Sequence, residues 1–353
     1  MSDTMDFALS AEQEMLRESA QRFFLERHPL SRARQALPWS DESQSSLWHD
    51  MGRMGWLGLL ASEQQGGLQL GMCEAFLVAE AGGRQLLNLP FAASAVLLPL
   101  LARVSAGAVE EMSAMVKKVA AGHAALQVTF EGALRIDFDR QCSHQMLLRG
   151  LGRDTGEIQW TWLSSDAASC LLPAVATEPL DPTIRSSRMR GTGDCQELSW
   201  STLQIEPDEL AFVVGCYRMA RIAELLGSAS GALDLACDYA RTREQFGKPI
   251  GSYQAIKHHL ANGWMALDNA RLAALYAVAA LDSRLPDWTF ACAAAEVTTI
   301  EGALRVARDA VQIHGGLGFT WEHDAHLYLK RIHHVSAMLG GTLSAYDVLE
   351  RVV

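Results

Sequence analysis

The 353-residue sequence predicts a mainly α-helical protein with a small β-domain in its middle. Apolar residues recur at helical spacing from Ser10 to about Ala121. The period vanishes between Gly122 and Pro207, then returns from Glu209 in the longest patterns of the chain. Between the two helical regions, short β-type runs are separated by turn residues. The expected divisions are an N-terminal helical domain over residues 1–121, a β-domain over 122–206 and a C-terminal helical-bundle domain over 207–353.

Ser10 and Gln13 form a capping-box pattern, and Leu16, Ala20, Phe23, Phe24 and Arg27 follow at helical spacing until Pro29 stops the first helix. A second helix is expected from Glu42 to Met54. It leads into Gly55-Trp56-Leu57-Gly58-Leu59 and then Ser62-Glu63-Gln64-Gln65-Gly66-Gly67. Helices are expected again from Cys73 to Arg84, Phe91 to Val104 and Val109 to Ala121. The β-type runs are Ala125 to Phe130, Leu134 to Phe138, Gln145 to Leu148, Ile158 to Leu163, Ser169 to Ala174 and Cys195 to Ile205. Beyond them, Phe212, Gly215, Met219, Ile222, Leu226, Ala229, Leu233 and Cys237 make one helix of Glu209 to Arg241. Ser252 to Leu285 and Asp287 to His314 are two more, rich in small residues that let helices approach closely. A last helix is expected from about Leu343 to Val353.

The segment Ala240 to Leu260 stands out between these helices. Arg241, Arg243 and Lys248 gather three cations around Phe246, while Gly247, Pro249 and Gly251 break the incoming helix and Ser252 offers an N-cap for the next. Guanidinium groups at a helix end suit a phosphate or pyrophosphate, and an aromatic side chain can cover a flat ring. A solvated loop with scattered charge is the competing reading of the same residues.

Composition narrows the classes. Hydrophobic residues make up 49%, charged residues 20%, and the net charge is −11, which with no further basic face argues against nucleic acid. Seven scattered cysteines without a CxxC pair read as reduced thiols and not as a disulfide frame or zinc site. The polar, acidic N-terminus is unlike a secretory signal, and the apolar run from Leu86 to Ala102 carries Pro90 and Pro99 and falls short of a membrane span. His314, His323, His326, His333 and His334 lack partners at a recognised ligand spacing, so helix-packing histidines are expected and no metal. The expected location is the cytoplasm.

The run Arg243-x-x-Phe246-Gly247-x-x-Ile250-x-x-x-Gln254-Ala255-Ile256 resembles the flavin-contacting corner of the acyl-CoA dehydrogenase family. Gln312-Ile313-His314-Gly315-Gly316 resembles that family's Q-x-x-G-G loop. Gly55 to Gly67 resembles its G-W-x-G-L…P-E-x-x-G-G signature, with Ser62 in place of the proline, and Glu80-x-x-Gly83-Arg84…Pro90-Phe91 is again similar. The resemblance covers most of the chain and implies an N-terminal helical domain, a β-sandwich-like middle domain and a C-terminal four-helix bundle. It implies FAD, with Arg243 and Phe246 toward the diphosphate region, Gln254 a further candidate of the same motif, and Gln312, Gly315 and Gly316 toward the adenine end across a subunit interface. The family's T-E-P-x-A-G-S-D type of loop has no match in the middle region.

The implied reaction is α,β-dehydrogenation of an acyl-CoA thioester, in which a carboxylate takes the α-proton. Most members carry that base as the glutamate of a Y-E-G-T motif, where this chain reads Leu339-Gly340-Gly341-Thr342, with Gly340 in the glutamate's place. Others carry it twenty-six residues before the corner arginine. That place is Tyr217, followed by Arg218, a candidate for the acyl or CoA pocket. Tyrosine, with an unperturbed pKa of about 10, is a poor base near neutrality.

With both places empty, the expectation is a subunit of a hetero-oligomer, a heterotetramer, whose homologous partner brings the base. Some such members act on CoA thioesters of steroid side chains, with electron-transfer flavoprotein or another acceptor taking the electrons. Two alternatives stay open: a self-sufficient flavoenzyme with its base relocated to Glu224, Glu322, Asp324 or Glu350, and a non-catalytic structural partner that has lost FAD.

Overall fold

A computed structural model describes residues 8–35, 41–105, 110–130, 135–137, 142, 144–149, 157–163, 171–172, 180–184, 186–189 and 199–350. By their contacts these form two compact units, one of Met1–Arg34, Met72–Leu87 and Arg218–Val353, the other of Gln35–Gly71 and Asn88–Tyr217.

In the first unit, α1 (Ala11–Arg27) opens with the expected capping box. The Ser10 side chain accepts from Gln13 N at 3.2 Å, and the Gln13 side chain accepts from Ser10 N at 3.0 Å. Its buried Ala20 and Phe24 face α4 (Met72–Arg84), and the short α2 (Leu30–Gln35) lies between them in the chain. The four long C-terminal helices are α7 (Pro207–Thr242), which belongs to this unit from Arg218 on, α8 (Gln254–Asp282), α9 (Trp288–His314) and α10 (Ala325–Met338), closed by α11 (Leu343–Glu350). α9 is the hub, packed against α8, α10 and α11.

α4 and α7 cross at backbone distance. A Cβ on Gly83 would lie 2.3 Å from the Glu224 carbonyl oxygen, and one on Gly227 would lie 2.0 Å from that of Glu80, so only glycine permits the approach. Charges surround this crossing and are paired, as buried charges must be. Arg331, fully buried, donates to Leu87 O at 2.8 Å and to Glu224 Oε1 at 3.2 Å, Arg221 donates to Glu224 Oε2 at 2.7 Å, and Arg271 Nε donates to Glu80 Oε1 at 2.9 Å.

The second unit holds α3 (Asp41–Arg53), α5 (Leu98–Val104), α6 (Glu110–Ala120) and the strands. α5 is preceded by a wider, π-type helical segment at Ala92–Leu97, where the sequence suggested one uninterrupted α-helix from Phe91. Ser94 Oγ there donates to Leu126 O and accepts from Leu126 N, tying the segment to the first strand. One sheet has the order β1-β3-β4-β7, from β1 (Leu126–Phe130), β3 (His144–Arg149), β4 (Glu157–Leu163) and β7 (Ser201–Gln204), with β1 and β3 parallel and the other pairs antiparallel. The other, antiparallel, has the order β2-β6-β5, from β2 (Arg135–Asp137), β5 (Leu171–Leu172) and β6 (Ser186–Met189).

β6, α2 and α10 were not expected from the sequence. Cys170 and Cys195, which opened or lay in expected strands, and residues 351–353 of the expected last helix fall outside the described residues. Among the described residues, no helix is long and apolar enough to cross a membrane.

Candidate functional site

The basic corner is a hairpin between helices. α7 ends at Thr242, β8 (Glu244–Gln245) pairs antiparallel with β9 (Lys248–Pro249), and Phe246 and Gly247 form the turn with φ of 52° and 78°. A two-residue hairpin turn with both central φ positive is the mirror-image type that matches strand twist, and glycine is at home there while phenylalanine is strained. Phe246 is 93% exposed.

The hairpin is held by Ile250 N, which donates to Arg243 O at 2.8 Å, and by the Tyr253 hydroxyl, which donates to Gln245 O at 3.0 Å. Lys248 Nζ lies 4.3 Å from the Tyr253 ring centroid, a cation–π contact. Ser252 is not the N-cap the sequence suggested. It ends a short 3₁₀ turn, Ile250–Ser252, and Tyr253 takes the cap position without a side-chain bond, because Pro249 and Gly251 delay the helix by two residues. Arg243 and Gln254 are both exposed.

The second motif lies at the end of α9. Gly315 caps it with φ 61° and ψ −140°, its N–H donating to Gln312 O, and a 3₁₀ turn runs on to Phe319, itself 71% exposed. A Cβ at Gly315 or Gly316 would meet nothing within 4 Å. The protein's own packing therefore gives no reason for glycine at Gly316, whose φ is not positive. His314, directly before this loop, stacks on Tyr239 at 4.4 Å between ring centroids and meets the His323 ring at 4.1 Å, tilted by 47°. Tyr239 is the residue whose carbonyl accepts from Arg243 N, so the stack sets the corner and the loop side by side. Burial holds both imidazoles below the usual histidine range, and His314 Nδ1 lies 2.7 Å from Ala310 O. Among the described residues, no group of three or more His, Cys, Asp or Glu could hold a metal.

The residue after one place where a base would stand and the residue before the other are joined. Arg218 Nη2 donates to Leu339 O at 2.8 Å, joining α7 to the residue before Gly340. Gly340 and Gly341, with φ of 85° and 66°, close the C-terminus of α10 by donating to Ala337 O and Ser336 O. This is a glycine turn that a side chain at Gly340 would strain. The Tyr217 ring lies edge-on to Phe130 at 5.7 Å.

Arg218, expected near the acyl or CoA group, is engaged by Glu296. Its Nε donates to Glu296 Oε2 at 2.9 Å, and its Nη2 bonds Glu296 Oε1. The sequence reasoning missed Glu296. A single charge after Ala293-Ala294-Ala295 in a buried helix was the available signal, since such a residue needs a partner. The four substitute carboxylates lie elsewhere. Glu224 is bound by Arg221 and Arg331, Asp324 caps α10 and pairs with Arg34, and Glu322 and Glu350 are exposed.

FAD, which the resemblance implies, finds fitting groups at the corner: an exposed guanidinium at Arg243, an outward-facing ring at Phe246, and a backbone at Gly315-Gly316 with open space before it. These suit a diphosphate and a flat heterocycle respectively.

Comparison with known proteins agrees with the fold. Residues 10–123 match the model of the acyl-CoA dehydrogenase N-terminal domain, and residues 214–344 that of the acyl-CoA dehydrogenase C-terminal domain. Acyl-CoA dehydrogenase IpdE2 of Mycobacterium tuberculosis is 30% identical over 344 residues, 97% of this chain and 96% of that protein. Acyl-CoA dehydrogenase FadE34 of the same organism is 48% identical over 121 residues, 34% of this chain and 17% of FadE34. Among solved structures, the ChsE4-ChsE5 complex from M. tuberculosis has a TM-score of 0.81 at 20% identity, covering 98% of each chain. The Tcur3481-Tcur3483 steroid ACAD has a TM-score of 0.75 at 22% identity, covering 96% of this chain and 97% of that one. By these domain matches and by its likeness to IpdE2 along nearly the whole chain, this chain belongs to the acyl-CoA dehydrogenase family.

Proposed function

We propose that this chain is one subunit of an FAD-dependent acyl-CoA dehydrogenase of the cytoplasm whose catalytic carboxylate comes from a homologous partner chain, and that its substrate is the CoA thioester of a steroid side chain. Its domains would be residues 1–121, 122–206 and 207–353. The observation that carries the proposal is the Gly340-Gly341 turn. At the two family base positions this chain has a closed glycine turn and a tyrosine, and Arg218, next to the second, donates to Leu339, next to the first.

Arg243, Phe246, Gln254, Gln312, Gly315 and Gly316 would hold FAD. Bound flavin would supply the acceptor for the β-hydride. Arg243 would neutralise part of the diphosphate charge, Phe246 would cover a ring face, and Gly316 would let the adenine end approach the backbone. The α-proton needs a carboxylate within hydrogen-bond reach, which contributes about 10²–10⁴-fold. The relocated-base alternative is disfavoured by the arginine clamp on Glu224 and the Arg34 pairing of Asp324.

A partner has a surface to use. Trp264, Met265 and Leu272 on α8 are 61%, 50% and 49% exposed, large apolar side chains that a partner would cover. The steroid assignment draws on the Tcur3481-Tcur3483 steroid ACAD. The test is co-expression with the product of an adjacent homologous gene. The proposal expects a defined hetero-oligomer carrying flavin, and a flavin-bearing homo-oligomer that turns over acyl-CoA unaided would refute it.

A further inference from the structure

His314 and His323 flank the glycine loop, one at the end of α9 and the other just before α10, and both meet Tyr239 of α7 in a cluster of three rings. Hydrogen bonding fixes the state of each imidazole. A carbonyl can only accept, so His314 Nδ1, 2.7 Å from Ala310 O, carries a hydrogen. Its Nε2 is then the bare nitrogen, buried and with no hydrogen-bond partner among the described residues. A backbone N–H can only donate, so His323 Nδ1, which accepts from Ala325 N at 3.3 Å, is bare. The cluster as folded therefore holds two neutral rings.

Protons would undo it. A proton on His314 Nε2 puts charge into a residue only 3% exposed, with nothing to accept the new N–H. A proton on His323 Nδ1 breaks the bond to Ala325 N, the first amide of α10, and sets a cation at a helix N-terminus, where it is disfavoured. Both together would place like charges with their rings 4.1 Å apart. The other charged and titratable groups facing the pair do not reverse this. Asp324 favours charge on His323, but its Oδ1 is bound by Arg34 Nε at 2.7 Å, and Arg34 and His326 oppose that charge. Burial is the leading influence on both rings, and for His314 it outweighs the bond to Ala310.

We propose that the three-ring cluster is a proton-sensitive latch: with both imidazoles neutral it holds the Gly315-Gly316 loop beside the Arg243 corner, and a proton on either ring frees the loop and weakens flavin binding. This rests on the function proposed above. Because the neutral form belongs to the folded loop, its ordering is complete above about pH 6.5 and is lost as pH falls. Each proton taken up as the loop is released changes flavin affinity by up to about tenfold per pH unit.

The test compares the wild-type chain with the double variant His314→Phe and His323→Asn, which keeps a ring against Tyr239 and an acceptor for Ala325 N but cannot take a charge. Fluorescence titration with FAD at about pH 8 and about pH 5 should show Kd rising at least about fivefold in wild type and less than about twofold in the double variant. In the chain without flavin, the Gly315 and Ala325 amides, measured against the exchange rate of an unstructured chain, should lose protection over the same window in wild type and keep it in the double variant. His323→Asn alone leaves the Tyr239–His314 stack in place and serves if the double variant folds poorly. It should move the loss of Ala325 protection to lower pH. Wild-type protection that ignores pH, or variants that respond as wild type does, overturn the latch. Protection that falls in a chain binding no FAD at either pH overturns the assigned cofactor and with it the effect on flavin, whereas FAD bound equally well at both pH values while protection falls overturns the link from loop to flavin alone.

Discussion

Gly316→Ala distinguishes a glycine kept for a ligand from one kept for the fold. A Cβ at this position meets nothing within 4 Å and the backbone φ is not positive, so the folded chain has room for alanine. Removing a glycine from the unfolded ensemble should stabilise the chain by about 0.4–1 kcal/mol. If the adenine end of FAD lies against this backbone, the added methyl intrudes into a packed contact, at a cost of about 1–3 kcal/mol. At 1.4 kcal/mol per tenfold, that weakens flavin binding by roughly 5- to 150-fold. Thermal unfolding without cofactor and a fluorescence titration with FAD measure the two quantities separately. Tm should hold or rise while Kd rises, and a flavin Kd within about twofold of wild type would refute the reasoning.

Gly227→Ala should do the reverse, since its Cβ would fall 2.0 Å from Glu80 O. Overpacking at about 1–3 kcal/mol against a helix-propensity gain of about 1 kcal/mol should lower Tm, and an unchanged Tm would show that α4 and α7 separate easily. Arg243→Ala should weaken FAD binding by about 1.5–3 kcal/mol through loss of a charge-assisted contact, and unchanged occupancy after gel filtration would make Arg243 a surface charge only. His28 is buried and its pKa is lowered to about 4, chiefly by desolvation. Its neutral form is the folded one, so its contribution is complete above about pH 6.5 and is lost as pH falls toward 4. Equilibrium unfolding should show less loss over that window in His28→Gln than in wild type, and parallel pH curves would contradict this.

The helices were legible because their apolar periods are long and their ends are marked: Ser10 and Gln13 cap α1, and the glycines after His314 end α9. α10 was missed because its buried face mixes His326, Tyr328, Arg331 and His334 with Leu327 and Ile332, so polar groups that are buried read as surface. β6 was missed because Ser186 to Met189 carries little β propensity of its own and owes its place to β2 and β5. At the candidate site, the motifs named candidate residues but not their neighbourhood. The hairpin turn at Phe246-Gly247, the Tyr239–His314 stack and the Arg218–Glu296 fork join positions up to seventy-eight residues apart, and such pairings leave no local signal.

The central claim is that this chain completes a flavin site yet brings no base to it. The most direct measurement is anaerobic reduction of bound flavin by a steroid side-chain CoA thioester, followed by visible absorbance, for the chain alone, with its homologous partner, and with the partner's catalytic glutamate changed to glutamine. The account predicts bleaching only with the unaltered partner, and no effect on the chemical step from replacing Glu224, Glu322, Asp324 or Glu350 here. Bleaching by the chain alone, abolished by changing one of those four carboxylates, would contradict it.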